Sequence, residues 1–365
     1  MKKVILLILF VFAFSLEVTS NIVVPKGFKI SVFAEVPKAR AMKYVGNGIL
    51  FVGTKESKVY VVINKNFESS SKDIRVLIDG LAWPVGLDYY RGDLYVSSHS
   101  VIYKLEDVMR KIDKRHSVDD LKVVFDRFPK DTAHGWKYIR FGPDGKLYVP
   151  VGAPCNVCKR DNKIYSTITR MNHDGSDFEI FAHGVRNSVG FDWDPITGYM
   201  WFSDNGRDWM GDDLPPDEIN VAKSKELHFG FPYIHGKDVL DPEFGDEFSN
   251  IKDKFQKPVW ELPAHVAPLG IKFYTGSSFP NYYKNGLFIA EHGSWNRSTK
   301  IGYRVSFLKI DENRIPISYE IFASFIDGRN VYGRPVDIEL LEDGSIIVSD
   351  DKNGKIYRIQ YSGDK

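Results

Sequence analysis

Cysteine is nearly absent from this chain of 365 residues: only Cys155 and Cys158 occur, in the run CNVC. A c-type haem attachment needs His directly after the second cysteine, and Lys159 stands there. A zinc site would need a second ligand pair, and none lies nearby. A thioredoxin-like redox role lacks its βαβ setting. A local disulfide is the preferred reading for an exported chain. An excess of one charge is also missing, since 49 Lys and Arg face 48 Asp and Glu for a formal net charge of +1. Nothing in that balance supports nucleic-acid or polyanion binding. Long amphipathic helices are absent too. Apolar runs are short except at the start, where Lys2 and Lys3 precede a stretch from Val4 to Leu16 that is apolar apart from Ser15. Val18-Thr19-Ser20 then offers small residues to a peptidase. Residues 1–20 read as a secretory signal peptide, too short for a comfortable span, with an uncleaved anchor as the alternative. No stable membrane span is expected in the mature chain, which is expected to work as a secreted, periplasmic or otherwise extracytoplasmic protein.

What is present is aromatic side chains, 14% of the chain, and 30 glycines. Together they favour an all-β fold with many tight turns. One unit recurs: an apolar strand, a Gly/Asp/Asn turn, a second strand typed like LYV, a loop and a third strand. The second strands are ILFV at Ile49, LYVS at Leu94, LYVP at Leu147, MWFS at Met200, LFIA at Leu287 and IIVS at Ile346. Third strands follow at Val59, Ile102, Ile168, Glu218, Arg304 and Ile356. Six units, each able to form a four-stranded sheet, predict a six-bladed β-propeller. The stretch between Lys223 and Leu262 interrupts the pattern and reads as inserted loops. No linker divides residues 21–365, which read as one domain.

Propeller topology predicts where function would sit. In each blade the innermost strand leaves one face and the second strand returns to it. Residues before first strands and after second strands therefore gather at one mouth of the central channel, on loops held by a rigid scaffold. Those before first strands include Trp83, His134-Gly135, Arg186-Asn187, His265 and Arg334. Those after second strands include Lys55, His99, Cys155, DNGRD (Asp204–Asp208), EHGSWNR (Glu291–Arg297) and Asp350-Asp351. Imidazoles, guanidiniums and carboxylates converge on one opening.

Each candidate has a plainer reading beside the functional one. His134 can cap a strand, or serve as a general base, since a neutral imidazole suits removal of a hydroxyl proton. Arg186, Arg297 and Arg334 can be surface ion pairs; gathered at one mouth, they suit a ligand with several carboxylates. Asn187 could donate to a ligand carbonyl. The oxygen-rich run DNGRDWMGDDLPPDEIN (Asp204–Asn220) can be a solvated acidic loop or a calcium site, although it lacks EF-hand spacing. Trp136, Trp209 and Trp295 read more readily as core or rim packing than as sugar-stacking platforms. Asn296-Arg297-Ser298 is formally a glycosylation sequon, but its place at the mouth argues against that use.

Five segments carry a resemblance: HGWKYIRFGPDGKLYVPVGAPCNVC, GVRNSVGFDWDPITGYMWFSDNGRDWMGDDLPPDEIN, HFGFPYIHG, LGIKFYTGSSFPNYYKNGLFIAEHGSWNR and GRPVDIELLEDGSIIVSDD. Through them the chain resembles the sugar dehydrogenases that depend on pyrroloquinoline quinone (PQQ), especially the L-sorbosone dehydrogenase-like branch. The motifs run from Thr132 to Lys352, with weaker similarity back to Ile22. The resemblance implies a six-bladed propeller holding PQQ and calcium at its mouth. It implies that His134 is the catalytic base and that Arg186 and Asn187 hold cofactor and substrate. It further implies that Arg334 contacts PQQ carboxylates and, more loosely, that His292 and Arg297 lie in a cofactor-contacting loop. Gly206 and Arg207 match positions whose backbone carbonyls bind calcium, and Asp217 and Glu218 match a nearby acidic pair. Glucose dehydrogenases of this fold carry Asp before the catalytic His, where this chain has Ala133, which sets glucose apart from the expected substrates.

The activity so implied is oxidation of an aldose or sugar aldehyde to a lactone or acid, with hydride passing to the quinone. The sequence holds no haem motif, so electrons would leave to a separate quinone or redox carrier. Two other classes compete. A calcium-dependent propeller lactonase would want acidic or Asn side chains on the axis, where this chain offers Arg. A non-catalytic propeller that binds sugars or proteins would reduce no dye under any reconstitution.

Overall fold

A computed structural model describes residues 19–363. The segment read as a secretory signal falls almost wholly outside them. Among the described residues no helix is long and apolar enough to cross a membrane.

The strands build an all-β, six-bladed propeller. Its inner strands are Ala39–Tyr44, Leu87–Tyr90, Arg140–Phe141, Phe191–Trp193, Pro268–Phe273 and Pro335–Leu340. Each pairs antiparallel with a second strand at the predicted place, as Arg140 with Tyr148 and Phe141 with Leu147 around the Pro143-Asp144-Gly145 turn. Gly145 takes φ +75° there, a conformation that favours glycine. The ring closes by borrowing: Phe28–Glu35, the earliest strand, forms the outer edge of the sixth blade against Lys355–Tyr361.

Second strands are buried on both faces because each blade is packed between two others. Side chains then alternate between the two gaps. Leu50 and Val52 join the cluster shared with the sixth blade. Phe51, between them, joins the cluster shared with the second. Six apolar clusters fill the inter-blade gaps in this way.

The insertion between Lys223 and Leu262 corrects the sequence expectation of plain loops. Leu227–His228 adds a parallel strand to Glu179–His183 of the third blade. Ile234–His235 and Val239–Leu240 form a small hairpin, followed by a 3-10 turn over Gly245–Asn250. Strands of two residues are too short to show a period of two, so sequence patterning passes over them.

The channel end opposite the mouth carries a second regularity. Lys43, Asp88, Arg140, Asp192, Lys272 and Glu339 occupy equivalent places on the six inner strands, each opposite the corresponding second-strand residue. Their signs alternate around the ring. Lys43 meets Asp88 at 2.8 Å, Lys272 meets Glu339 at 3.2 Å and Asp192 at 4.0 Å, and Arg140 meets Glu339 at 3.4 Å. Asp88 also accepts the Phe141 N–H, and Asp192 the Phe273 N–H, each across to the following blade. The channel end opposite the mouth is therefore ringed by paired charges.

Candidate active site at the channel mouth

The mouth holds a cavity of about 360 Å³, walled by residues from five of the six blades. That is within the range for small-molecule sites. Four loops entering inner strands place a non-glycine residue in the left-handed region: Lys38 (φ 52°), Trp83 (φ 52°), His134 (φ 47°) and Ala267 (φ 53°). Such backbone costs about 1–3 kcal/mol each and persists where the surrounding structure enforces it.

His134 is held by a contact on its backbone side and one on its ring. Gly152 packs so closely that a Cβ there would stand 2.6 Å from the His134 Cβ. His134 Nδ1 lies 2.7 Å from the Ala153 carbonyl. A carbonyl only accepts, so Nδ1 carries the proton and Nε2 keeps its lone pair. Burial, reinforced by the Arg186 charge, lowers the imidazole pKa to about 4 despite the Ala153 contact. The ring is a neutral base at pH 7. Gly135 serves packing, because a Cβ would meet the Asp131 carbonyl at 2.5 Å and the His99 ring at 2.7 Å.

Arg186 is almost fully buried. Its Nε donates to the Asn156 carbonyl, Nη2 to Asn156 Oδ1 and Nη1 to the Asn205 carbonyl. The backbone N–H groups of Arg186 and Asn187 both donate to Asp204, whose pKa burial raises to about 6. Asn187 presents its half-buried side chain to the cavity. Asn156 sits inside the Cys155–Cys158 disulfide and also accepts from the Asp208 N–H. The expected disulfide thus forms, and the residue it encloses braces Arg186.

Arg334, Arg40 and Lys55 add cations on the sixth- and first-blade side. Asp351 joins Arg40 at 2.9 Å, Arg334 at 2.7 Å and His292 Nε2 at 3.1 Å. Burial opposes its ionisation, but His292 and the two guanidiniums outweigh that and hold the carboxyl far below its usual range. His292, lowered to about 4 chiefly by burial, is neutral and donates from Nε2. Trp136 lies beneath Arg40 and Lys55, each 4.7 Å from its ring centroid.

Asp217 accepts from the Gly206 and Ala267 N–H groups, and burial raises its pKa to about 7. Glu218 accepts from the Gly236 N–H and the Asn220 amide, and burial raises it to about 8. Arg207 turns its guanidinium into the insertion, bonding Asp241 at 2.6 Å and Glu243 at 3.3 Å.

His134, Arg186, Asn187, Gly206, Arg207, Asp217, His292 and Arg334, all marked in the sequence, line the one cavity. Two others do not. Glu218 stands behind the Gly206 loop, facing a small void beside Asp204 and His235. Arg297 binds the Asp212 carbonyl and the Asp213 carboxylate, tying two rim loops together. Sequence reasoning did not single out Arg40 or Asn156. The signals were there: Arg40 sits at the entry to the first inner strand, and Asn156 lies between the two cysteines.

The residues suit an anionic cofactor. Asp351 is already neutralised, leaving an excess of positive charge, and the buried Arg40 Nε–H has no protein acceptor. They suit a hard divalent cation as well. Three buried carboxyl groups back the Gly206–Arg207 backbone, and the Arg207 charge is drawn away from it. The carboxyl oxygens are spent on backbone N–H groups and the Asn220 amide, and among the described residues no three His, Cys, Asp or Glu side chains converge as a metal cage. Backbone carbonyls are the ligands this arrangement favours.

Fold and mouth together define a six-bladed propeller whose mouth gathers several cationic side chains beside an uncharged imidazole. The chain belongs to the TrAA12-like family, whose model matches residues 22–362. An uncharacterized protein of Borreliella burgdorferi is 41% identical over 357 residues, covering 94% of this chain and 92% of that one. Among solved structures, the holo PQQ domain of pyranose dehydrogenase from Coprinopsis cinerea aligns with TM-score 0.77 at 18% identity, over 93% of this chain and 97% of that one. A calcium structure of the Trichoderma reesei Carbohydrate-Active Enzymes Family AA12 aligns with TM-score 0.79 at 19% identity, over 93% and 97%. At such identities the structural likeness speaks for the fold.

Proposed function

We propose that the protein is a PQQ- and calcium-dependent sugar dehydrogenase that oxidises an aldose to a lactone, or a sugar aldehyde through its hydrate to an acid. One observation carries the reading: the neutral imidazole of His134, with Nε2 free, faces the same cavity as Arg40, Lys55, Arg186 and Arg334. Arg40, Lys55 and Arg334 would hold the carboxylates of PQQ, and the Gly206–Arg207 backbone would hold calcium. When bound, PQQ supplies a two-electron acceptor for the hydride leaving the sugar carbon, and calcium supplies a Lewis acid. The chain contributes position and proton handling. His134 Nε2 takes the proton of the oxidised hydroxyl, while Ala153 keeps Nδ1 protonated and the ring oriented. Arg186, fixed by Asn156 and Asn205, stabilises negative charge developing on the substrate oxygen and keeps His134 neutral beforehand. Asn187 orients the sugar by hydrogen bonding, and His292, locked on Asp351, completes the wall. Two structural neighbours, a holo PQQ domain and a calcium structure, support this reading. An external quinone or redox carrier would take the electrons onward, and the N-terminal signal would place the enzyme outside the cytoplasm.

The test is reconstitution of the purified chain with PQQ and calcium, followed by a sugar and aldehyde panel read by dye reduction. Reduction that requires PQQ, calcium and a sugar is the expected result. Hydrolysis of lactones with calcium alone, and no dye reduction, would replace the reading with a propeller lactonase.

A further inference from the structure

Trp209 and Trp295 stand on the rim with 67% and 70% of their surfaces exposed. Their rings meet edge to face, centroids 5.5 Å apart and planes at 89°. Trp295 also forms part of the cavity wall, so the exposed pair continues outward from the site. The loops that carry it are cross-braced. The Trp209 N–H donates to Asn296 Oδ1 at 3.0 Å, the Ser298 N–H donates to Asp212 at 3.0 Å, and His265 Nε2 donates to the Gly211 carbonyl at 2.8 Å. Arg297 adds its contacts to Asp212 and Asp213. Trp136 is different in kind, since its ring already serves Arg40, Lys55 and a stack on Trp83. Two indoles held rigid and left in water mark a surface that a ligand covers.

The chemistry around them selects the ligand. Indole faces pair with flat C–H surfaces, and the nearby Asp213 carboxylate, exposed while paired with Arg297, keeps lone pairs that can accept from hydroxyl groups. A neutral pyranose offers both a C–H face and a hydroxyl edge. We propose that Trp209 and Trp295 bind the second and further units of an oligosaccharide whose terminal sugar occupies the cavity. This rests on the sugar-oxidation reading and narrows its substrate to a chain.

The experiment is titration calorimetry of the purified protein with malto-, cello-, xylo- and chito-tetraose and their monosaccharides, for wild type and Trp209→Ala/Trp295→Ala. At least one tetrasaccharide should bind wild type roughly tenfold tighter than its monosaccharide, and the double variant should cut that ratio to within about twofold. Both indoles are exposed, and an unchanged melting temperature shows the variant folded. Equal affinities in wild type, or a ratio that survives the double substitution, overturns the proposal. Dye reduction separates it from the reading beneath. Monosaccharide oxidation with no tetrasaccharide preference removes the platform alone. A Trp-dependent preference without dye reduction removes the dehydrogenase chemistry and leaves the platform.

Discussion

A general base has to be uncharged, correctly tautomerised and aimed, and His134 meets the first two conditions through named neighbours. The Ala153 carbonyl selects the tautomer, while burial and Arg186 disfavour the imidazolium. His134→Ala should lower turnover by about 10²–10⁴-fold, the usual share of a positioned base. PQQ affinity, read by absorbance titration, should hold within a few-fold. The pH profile carries a sign as well. A pKa depressed toward 4 means the base is lost only as pH falls toward that value. The acid limb of kcat/KM should therefore lie below the ordinary imidazole value of about 6.5. A limb at or above 6.5 would contradict the assignment. His134 was visible in the sequence because it precedes a clear hairpin. Arg40 was not, since it lies among Lys38 and Lys43 and only strand register tells which of the three faces the mouth.

Short elements, rather than whole blades, position the site. The Cys155–Cys158 loop holds Asn156 against Arg186 and Asp208, and the insertion holds Arg207 through Asp241 and Glu218 through Gly236. A disulfide closing so small a loop adds about 2 kcal/mol by chain entropy, modest for a domain of this size. Cys155→Ser/Cys158→Ser should shift the urea midpoint only slightly, yet lower turnover several-fold by freeing Asn156 and loosening Arg186. A large loss of stability with unchanged turnover would reverse that assignment. The disulfide was readable from CNVC; its role was not, because Arg186 lies 30 residues further along and meets Asn156 only through the packing of neighbouring loops.

Across the whole molecule, the alternating ring of Lys43, Asp88, Arg140, Asp192, Lys272 and Glu339 links the six inner strands at the end opposite the mouth. Each charge stands near opposite ones, so reversing one leaves neighbours repelled in a poorly solvated channel. Lys272→Glu, set between Asp192 and Glu339, should cost about 3 kcal/mol or more in denaturant unfolding. Adding Glu339→Lys should restore part of that loss. An additive double variant would show that the ring is incidental to closure. The alternation is present in the sequence, one charge per inner strand, but it becomes visible only when the blades are aligned by register.

Local patterning by itself determined the blade count, the second strands and the mouth, because these depend on period-two burial and on turns that are each complete within about fifty residues. Tertiary structure alone decided which charges face the cavity, which are spent on one another, and that Arg297 braces the rim while Arg40 lines the site. Those outcomes depend on partners brought together from distant positions by ring closure, as Asp351 is brought to Arg40. Sequence spacing carries no record of such meetings.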